Sequence, residues 1–198
     1  MGGKGEMTRA AILDEAVQVA ARVGFAGLSI GGLADQVEMS KSGLFAHFRS
    51  KEQLQLQTME RARQRFVDVV VRPALAAPRG EARVRAVFDR WLVWARQSMD
   101  AGCIFVAAAA ELDDRPGPLR DALVANERDW LELLATVAGT AVTEGDFRAD
   151  LDTEQFAFEL HALMLGHHHA ARLLRAADAD ARTQKAFESL LAAAGAES

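Results

Sequence analysis

Between Leu28 and Leu54 the chain reads LSIGGLADQVEMSKSGLFAHFRSKEQL, two short apolar runs broken by a polar turn. Ile30, Leu33, Ala34 and Val37 recur at helical spacing, Glu38-Met39-Ser40 interrupts them, and Leu44, Phe45 and Phe48 form a second short face. Helices this short are unstable alone and must pack on each other and on a neighbour. That is the outline of a helix-turn-helix. Ser29 and Ser40 stand where N-caps belong, and Ser50 repeats the signal with Gln53 at the capping-box position. Three helix N-termini therefore crowd one small region, and their free N–H groups and positive dipole ends suit phosphate oxygens. The second helix, Lys41 to Phe48, shows Lys41, Ser42, Gly43 and Ala46 on its outward side. Small residues let such a helix approach the floor of a major groove, while Leu44 and Phe48 point inward and hold it.

The same residues carry a resemblance. Ser29, Ile30, Leu33, Ala34 and Val37, then Ser40-Lys41-Ser42-Gly43-Leu44-Phe45, His47-Phe48 and Lys51-Glu52-Gln53-Leu54, resemble the TetR/AcrR family of bacterial transcriptional regulators. The match begins near Thr8, and the rest of the chain is similar only as a run of helices. The resemblance implies that Ser29, Lys41, Phe45, His47 and Lys51 meet the DNA backbone and that Ser42, Gly43 and Ala46 face bases. Two departures stand out. Tyrosine is usual in the family where this chain has Phe45, so a phenol-to-phosphate hydrogen bond is missing. Gly43 replaces a small side chain and removes one base contact, which shifts specificity towards the shape of the duplex.

At 198 residues the chain can bury a full core, as one domain or two. Its Ala/Leu/Glu/Arg stretches favour helix and none alternates as a surface strand would, so an all-α fold of about nine helices is expected. Residues 1–50 form a helix-turn-helix DNA-binding domain in this reading, and 51–198 a helical domain for effector binding and dimerisation. The net charge of −5 would disfavour nucleic acid, yet its distribution matters more. Up to residue 51, Lys4, Arg9, Arg22, Lys41, Arg49 and Lys51 slightly outnumber Glu6, Asp14, Glu15, Asp35 and Glu38. Phosphate contact would rest on a few placed cations. The single cysteine, Cys103, excludes an internal disulfide framework. With a polar N-terminus and no apolar run of bilayer length, the expected location is the cytoplasm.

Along the chain, residues 1–7 read as a frayed arm and Thr8 to Val23 as an amphipathic helix, with Ile12, Ala16, Val19, Ala20 and Val23 on one stripe and Gly24 as its end. A long helix after Ser50 should run to Pro73, which ends it. Further helices are expected from Glu81 to about Met99, Ile104 to Leu112, Leu119 to about Val142, Asp152 or Thr153 to about Arg175, and Ala181 to Ala193. Ala101-Gly102, Asp113 to Pro118 and Glu144-Gly145-Asp146 are the turns between them.

From Phe156 to Leu174 the sequence is apolar on nearly every face, and a helix apolar all round must be buried all round. One side can meet the domain core. The other, with Phe156, Leu160, Leu163, His167 and Leu174, needs a partner, which a two-fold dimer supplies; a central helix enclosed within one subunit is the alternative. The family resemblance implies dimerisation through the last two helices, adding Phe187 and Leu191 to that face.

Four histidines, His161 and His167-His168-His169, raise a second reading: a small all-α metal-binding protein or enzyme. Adjacent helical residues point about 100° apart, so the three cannot chelate one ion together. His161 and His168 share a side two turns apart, too far for direct co-ligation, and no metal or cofactor is assigned. Polar residues at a dimer or pocket wall are the better account. Cys103 opens a short helix whose dipole favours a thiolate, as a redox sensor needs, or it is a small buried residue. No nucleophile elbow or phosphate loop supports catalysis. Trp94, Phe105, Trp130, His161 and Met164 lie on inward faces, where they line either a cavity for an unknown small-molecule effector or plain core. Together these readings favour a homodimeric regulator of transcription, a ligand-responsive repressor on a near-palindromic operator.

Overall fold

The computed structural model describes residues 9–97 and 102–195. Thr8, the arm before it, Met99 and Ala101 lie outside the described residues. The structure is all-helical, as the composition requires. Its elements are α1 (Arg9–Gly27), α2 (Ile30–Gln36), α3 (Lys41–Phe48), α4 (Lys51–Phe66), α5 (Arg72–Leu75), α6 (Glu81–Gln97), α7 (Ile104–Leu112), α8 (Pro118–Glu144), α9 (Thr153–His168) and α10 (Ala179–Ala194). Two π-turns, Val67–Val71 and His169–Leu173, follow α4 and α9. None of the described helices is long and apolar enough to cross a membrane.

The chain divides into two compact units, residues 1–65 with 101–124, and residues 66–100 with 125–198. The first holds the three N-terminal helices and also α4 and α7. Ile12, Ala16, Val17 and Ala20 of α1 share one core with Leu33 and Ala34 of α2, Leu44 and Phe48 of α3, Leu54, Met59 and Ala62 of α4, and Ile104, Ala108 and Leu112 of α7. The four-residue steps in α7 put its buried side on one line. Val23, expected on the α1 stripe, is 58% exposed, next to the break at Gly24 (φ 75°). Phe25 and Leu28 seal the core instead.

In the second unit, Val84, Val87, Phe88, Trp91 and Leu92 form the inner face of α6. Phe88 stacks on Phe187 of α10 with ring centroids 3.9 Å apart, and Phe147 packs beside Phe156 of α9. Asp146 accepts the backbone N–H of Glu81 at 2.8 Å and so closes the start of α6. Gly80 makes that approach possible: its φ is 96°, and a methyl there would sit 2.0 Å from the Asp146 carboxylate.

Pro73 does not end the helix after Ser50. Its ring removes a donor and crowds the carbonyl four residues back, and the π-turn at Val67–Val71 absorbs the irregularity so that the backbone stays helical to Leu75.

Candidate nucleic-acid interface

Two serines build the helix-turn-helix. Ser29 Oγ accepts the N–H of Gly32 at 3.1 Å, and Ser40 Oγ accepts that of Gly43 at 3.1 Å. Ser50 repeats the arrangement with Gln53 at 3.1 Å, starting α4 directly after α3. Between α2 and α3 the turn is tight enough to place Glu38 at φ 53°. Leu44 and Phe48 are fully buried and fix α3 to its scaffold, and the Arg9 guanidinium lies over the Phe48 ring, 5.5 Å from its centroid.

Elsewhere on α3, Lys41, Ser42, Phe45 and Ala46 are exposed, and Gly43 and His47 are half-buried. The Lys41 stem runs beside α2, where a methyl added at Gly31 would meet its Cε at 3.4 Å. Ser42 Oγ stands 3.2 Å from Ser40 Oγ. Phe45 is 54% exposed, a large apolar ring left in solvent on an otherwise small and polar face. Ser29, at the α2 cap, is half-buried. Lys51 is placed differently from a free cation: its Nζ donates to the Ala26 carbonyl at 2.6 Å. Of the expected residues, Lys41, Ser42, Phe45 and Ala46 are open, Ser29, Gly43 and His47 are half-buried, and Lys51 is engaged by the protein's own backbone.

Two contacts to this head had no sequence signal. Glu111 of α7 accepts the N–H groups of Phe25 and Ala26, and Arg61 of α4 binds Asp14 of α1 through two hydrogen bonds at 2.9 and 2.7 Å. Both pairs lie far apart in sequence, where helical spacing says nothing.

The inward residues named as effector candidates fall into different places. Trp94 and Trp130 both meet Phe66 edge-to-face, at 5.3 and 4.9 Å between centroids. Met164 is buried, and His161 faces Glu127, Nε2 to Oε2 3.7 Å. Burial pushes the Glu127 carboxyl up and the His161 imidazole down. Phe105 instead packs on the core of the first unit.

The expected dimer face needs correction. Phe156, Leu160, His167, Phe187 and Leu191 are each no more than 3% exposed in the single chain, so they are its own core and offer no surface to a second copy. Leu163 is half-buried and Leu174 exposed. The exposed apolar side chains lie elsewhere, at Phe158 and Leu165 of α9 and at Leu173 and Leu174 at the end of the following π-turn, which are 64, 44, 68 and 64% exposed. The histidines diverge: His161 faces Glu127, and His167 meets Asp180 at 2.7 Å. Among the described residues no three His, Cys, Asp or Glu side chains gather as a metal site.

Comparison with known proteins accounts for both parts of the chain. The family described as bacterial regulatory proteins, tetR family, matches residues 12–58, and the tetracyclin repressor-like C-terminal domain matches residues 80–187. The chain belongs to the TetR family of transcriptional regulators. The fold agrees: a TetR-family regulator from Streptomyces coelicolor superposes with a TM-score of 0.80 at 22% identity, covering 93% of this chain and 94% of that one. A TetR regulator from Chloroflexus aurantiacus reaches 0.80 at 25% identity over 91% and 90% of the two chains. One from Cytophaga hutchinsonii reaches 0.75 at 22% over 98% and 100%. No curated protein sequence matches. TetR-family chains regulate transcription through DNA rather than by catalysis, and residues 12–58 hold the helix-turn-helix that defines them.

Proposed function

We propose that this regulator is a homodimeric repressor that binds a near-palindromic operator through α3 and releases it when a small molecule binds. Residues 1–50 are the DNA-binding part in this reading and residues 51–198 bind effector and partner. The observation that carries it is the two-sidedness of α3: Leu44 and Phe48 are fully buried, while Lys41, Ser42, Phe45 and Ala46 are open. A helix held so firmly from behind, with a small polar front, suits a major groove.

Lys41 supplies charge to phosphate, with His47 and the Ser29 hydroxyl beside it. Ser42, Gly43 and Ala46 meet base edges, and Phe45 offers only apolar contact. Lys51 acts on DNA through the backbone it holds. The effector site lies in the second unit, around Phe66, Trp94, Trp130, His161 and Met164: the Phe66 ring joins Trp94 and Trp130, and burial has driven the Glu127 carboxyl and the His161 imidazole away from charge. The partner is a second copy on Phe158, Leu165, Leu173 and Leu174, since four large apolar side chains from α9 to the end of its π-turn are a costly surface to leave in water. Two α3 helices about 34–36 Å apart then read successive turns of one duplex face. An effector acts by favouring a conformer with another spacing.

Selection of bound duplexes from random DNA, followed by gel shift, tests the reading. Enrichment of a two-fold repeat bound by two chains supports it; a protein that enriches no sequence overturns it.

A further inference from the structure

Beyond the break at Gly24, the backbone of Phe25 and Ala26 in the last turn of α1 is gripped by side chains from two other helices. Glu111 of α7 takes the N–H groups: Oε2 accepts from Phe25 at 2.7 Å and Oε1 from Ala26 at 2.6 Å. From the first turns of α4, Gln55 Nε2 donates to the Phe25 carbonyl at 2.6 Å and Lys51 Nζ to the Ala26 carbonyl at 2.6 Å. The Glu111 side chain is only 16% exposed, and Arg115, the nearest cation among the described residues, stands 4.0 Å away, beyond hydrogen-bond range. The carboxylate is therefore committed to the turn. Backbone sterics confirm the fit: Gly24 has φ 75°, and a methyl there would lie 2.5 Å from Glu111 Oε2. Only glycine admits both the turn and the carboxylate.

We propose that Glu111 is a positioning residue for DNA binding, one that sets the pose of α2 and α3 from α7 without touching the duplex. The route is short. The turn at Phe25 and Ala26 leads through buried Leu28 to the Ser29 cap of α2, and α2 packs on α3. Lys51, on the carbonyl side of the same turn, follows α3 by three residues. A shift of α7 must carry the turn with it or break two charge-assisted hydrogen bonds. Both are directional and aimed at adjacent peptides, so they fix rotation as well as distance. The apolar contacts of Ile104, Ala108 and Leu112 hold α7 against α1 but tolerate sliding. The carboxylate does not.

This inference rests on the DNA-binding reading. Glutamine at position 111 keeps the size but offers one accepting oxygen and turns an N–H₂ towards an N–H donor, so Glu111→Gln breaks half of the clamp. The test is duplex affinity by fluorescence anisotropy across salt concentrations, on a sequence selected by the wild-type chain, with amide hydrogen exchange of the same proteins. Glu111→Gln is expected to bind about tenfold more weakly at every salt concentration with an unchanged salt slope. Exchange at Phe25 and Ala26 speeds up while the α1 amides before Gly24 stay protected. Arg115→Ala, which leaves the clamp intact, matches the wild type in both measurements. Should Glu111→Gln unfold, Glu111→Asp, one methylene too short for both bonds, is expected to show the same pattern more mildly. Wild-type affinity in a folded Glu111→Gln or Glu111→Asp overturns the role alone. A wild-type chain with no DNA affinity removes the regulator reading and this role together.

Discussion

His167 and Asp180 are joined Nε2 to Oδ1 at 2.7 Å, tying α9 to α10 with one group sealed in the core and the other half in water. The His167 bond, and after it the Arg96 guanidinium, hold the Asp180 carboxyl below its usual range. The other ring nitrogen, Nδ1, is buried without a hydrogen-bond partner, and the His167 ring packs T-shaped with Trp91, 5.2 Å between centroids. Asp180→Asn should therefore cost about 1–3 kcal/mol, the penalty for weakening a buried nitrogen's polar contact. Urea unfolding at pH 7 would show a lower midpoint with an unchanged slope. Because the folded pKa is depressed, the stabilisation is complete above the unfolded carboxylate value of about 3.9 and fades as pH falls through the folded one. The two melting curves should converge in acid.

Glu127 presents the reverse sign. Its folded pKa is raised by burial, so its charge costs stability above that value and nothing below the unfolded one, about 4.3. Glu127→Gln is expected to raise the thermal midpoint at pH 8 and to lose that advantage towards pH 4. His161 adds a second slope: its lowered pKa means that stability falls as pH drops below about 6.5. In His161→Gln that acid-side loss should shrink. A flat response in both variants would show that the pair is not desolvated in solution.

The exposed face of α9 makes a prediction about assembly. Phe158→Glu or Leu165→Glu should leave a folded chain that sediments as a monomer, because both side chains are open in the single subunit. Leu160→Glu, at 1% exposure, should instead unfold it. A wild-type monomer at micromolar concentration would remove the proposed interface.

The α3 cap is a local test of the scaffold. Ser40→Ala removes the acceptor for the Gly43 N–H and is expected to cost about 0.5–2 kcal/mol. Hydrogen exchange should speed up first within α3.

What the sequence disclosed and what it concealed divide along physical lines. The caps at Ser29, Ser40 and Ser50 were legible because each is a contact within three residues. The inner faces of α3 and α6 were legible because polar residues mark their outer sides. In α9 no such marking exists: Phe156 and Leu160 face inward while Phe158 and Leu165 face out, and equal hydrophobicity leaves the phase undetermined. Pro73 was misleading because a π-turn upstream accommodates it. Lys51 read as a phosphate ligand, yet the Ala26 carbonyl that occupies it comes from a turn 25 residues away. The Glu111 clamp, more distant still, was invisible for the same reason.

The central claim, that the open side of α3 is what meets DNA, is tested most directly at Lys41. Affinity of the wild type and of Lys41→Ala should be measured from low to physiological salt on a duplex selected by the wild-type chain. The wild type is expected to bind tightly with a steep salt dependence, and Lys41→Ala to bind more weakly with a slope reduced by about one per site. Identical affinity and slope in the folded variant would contradict the account.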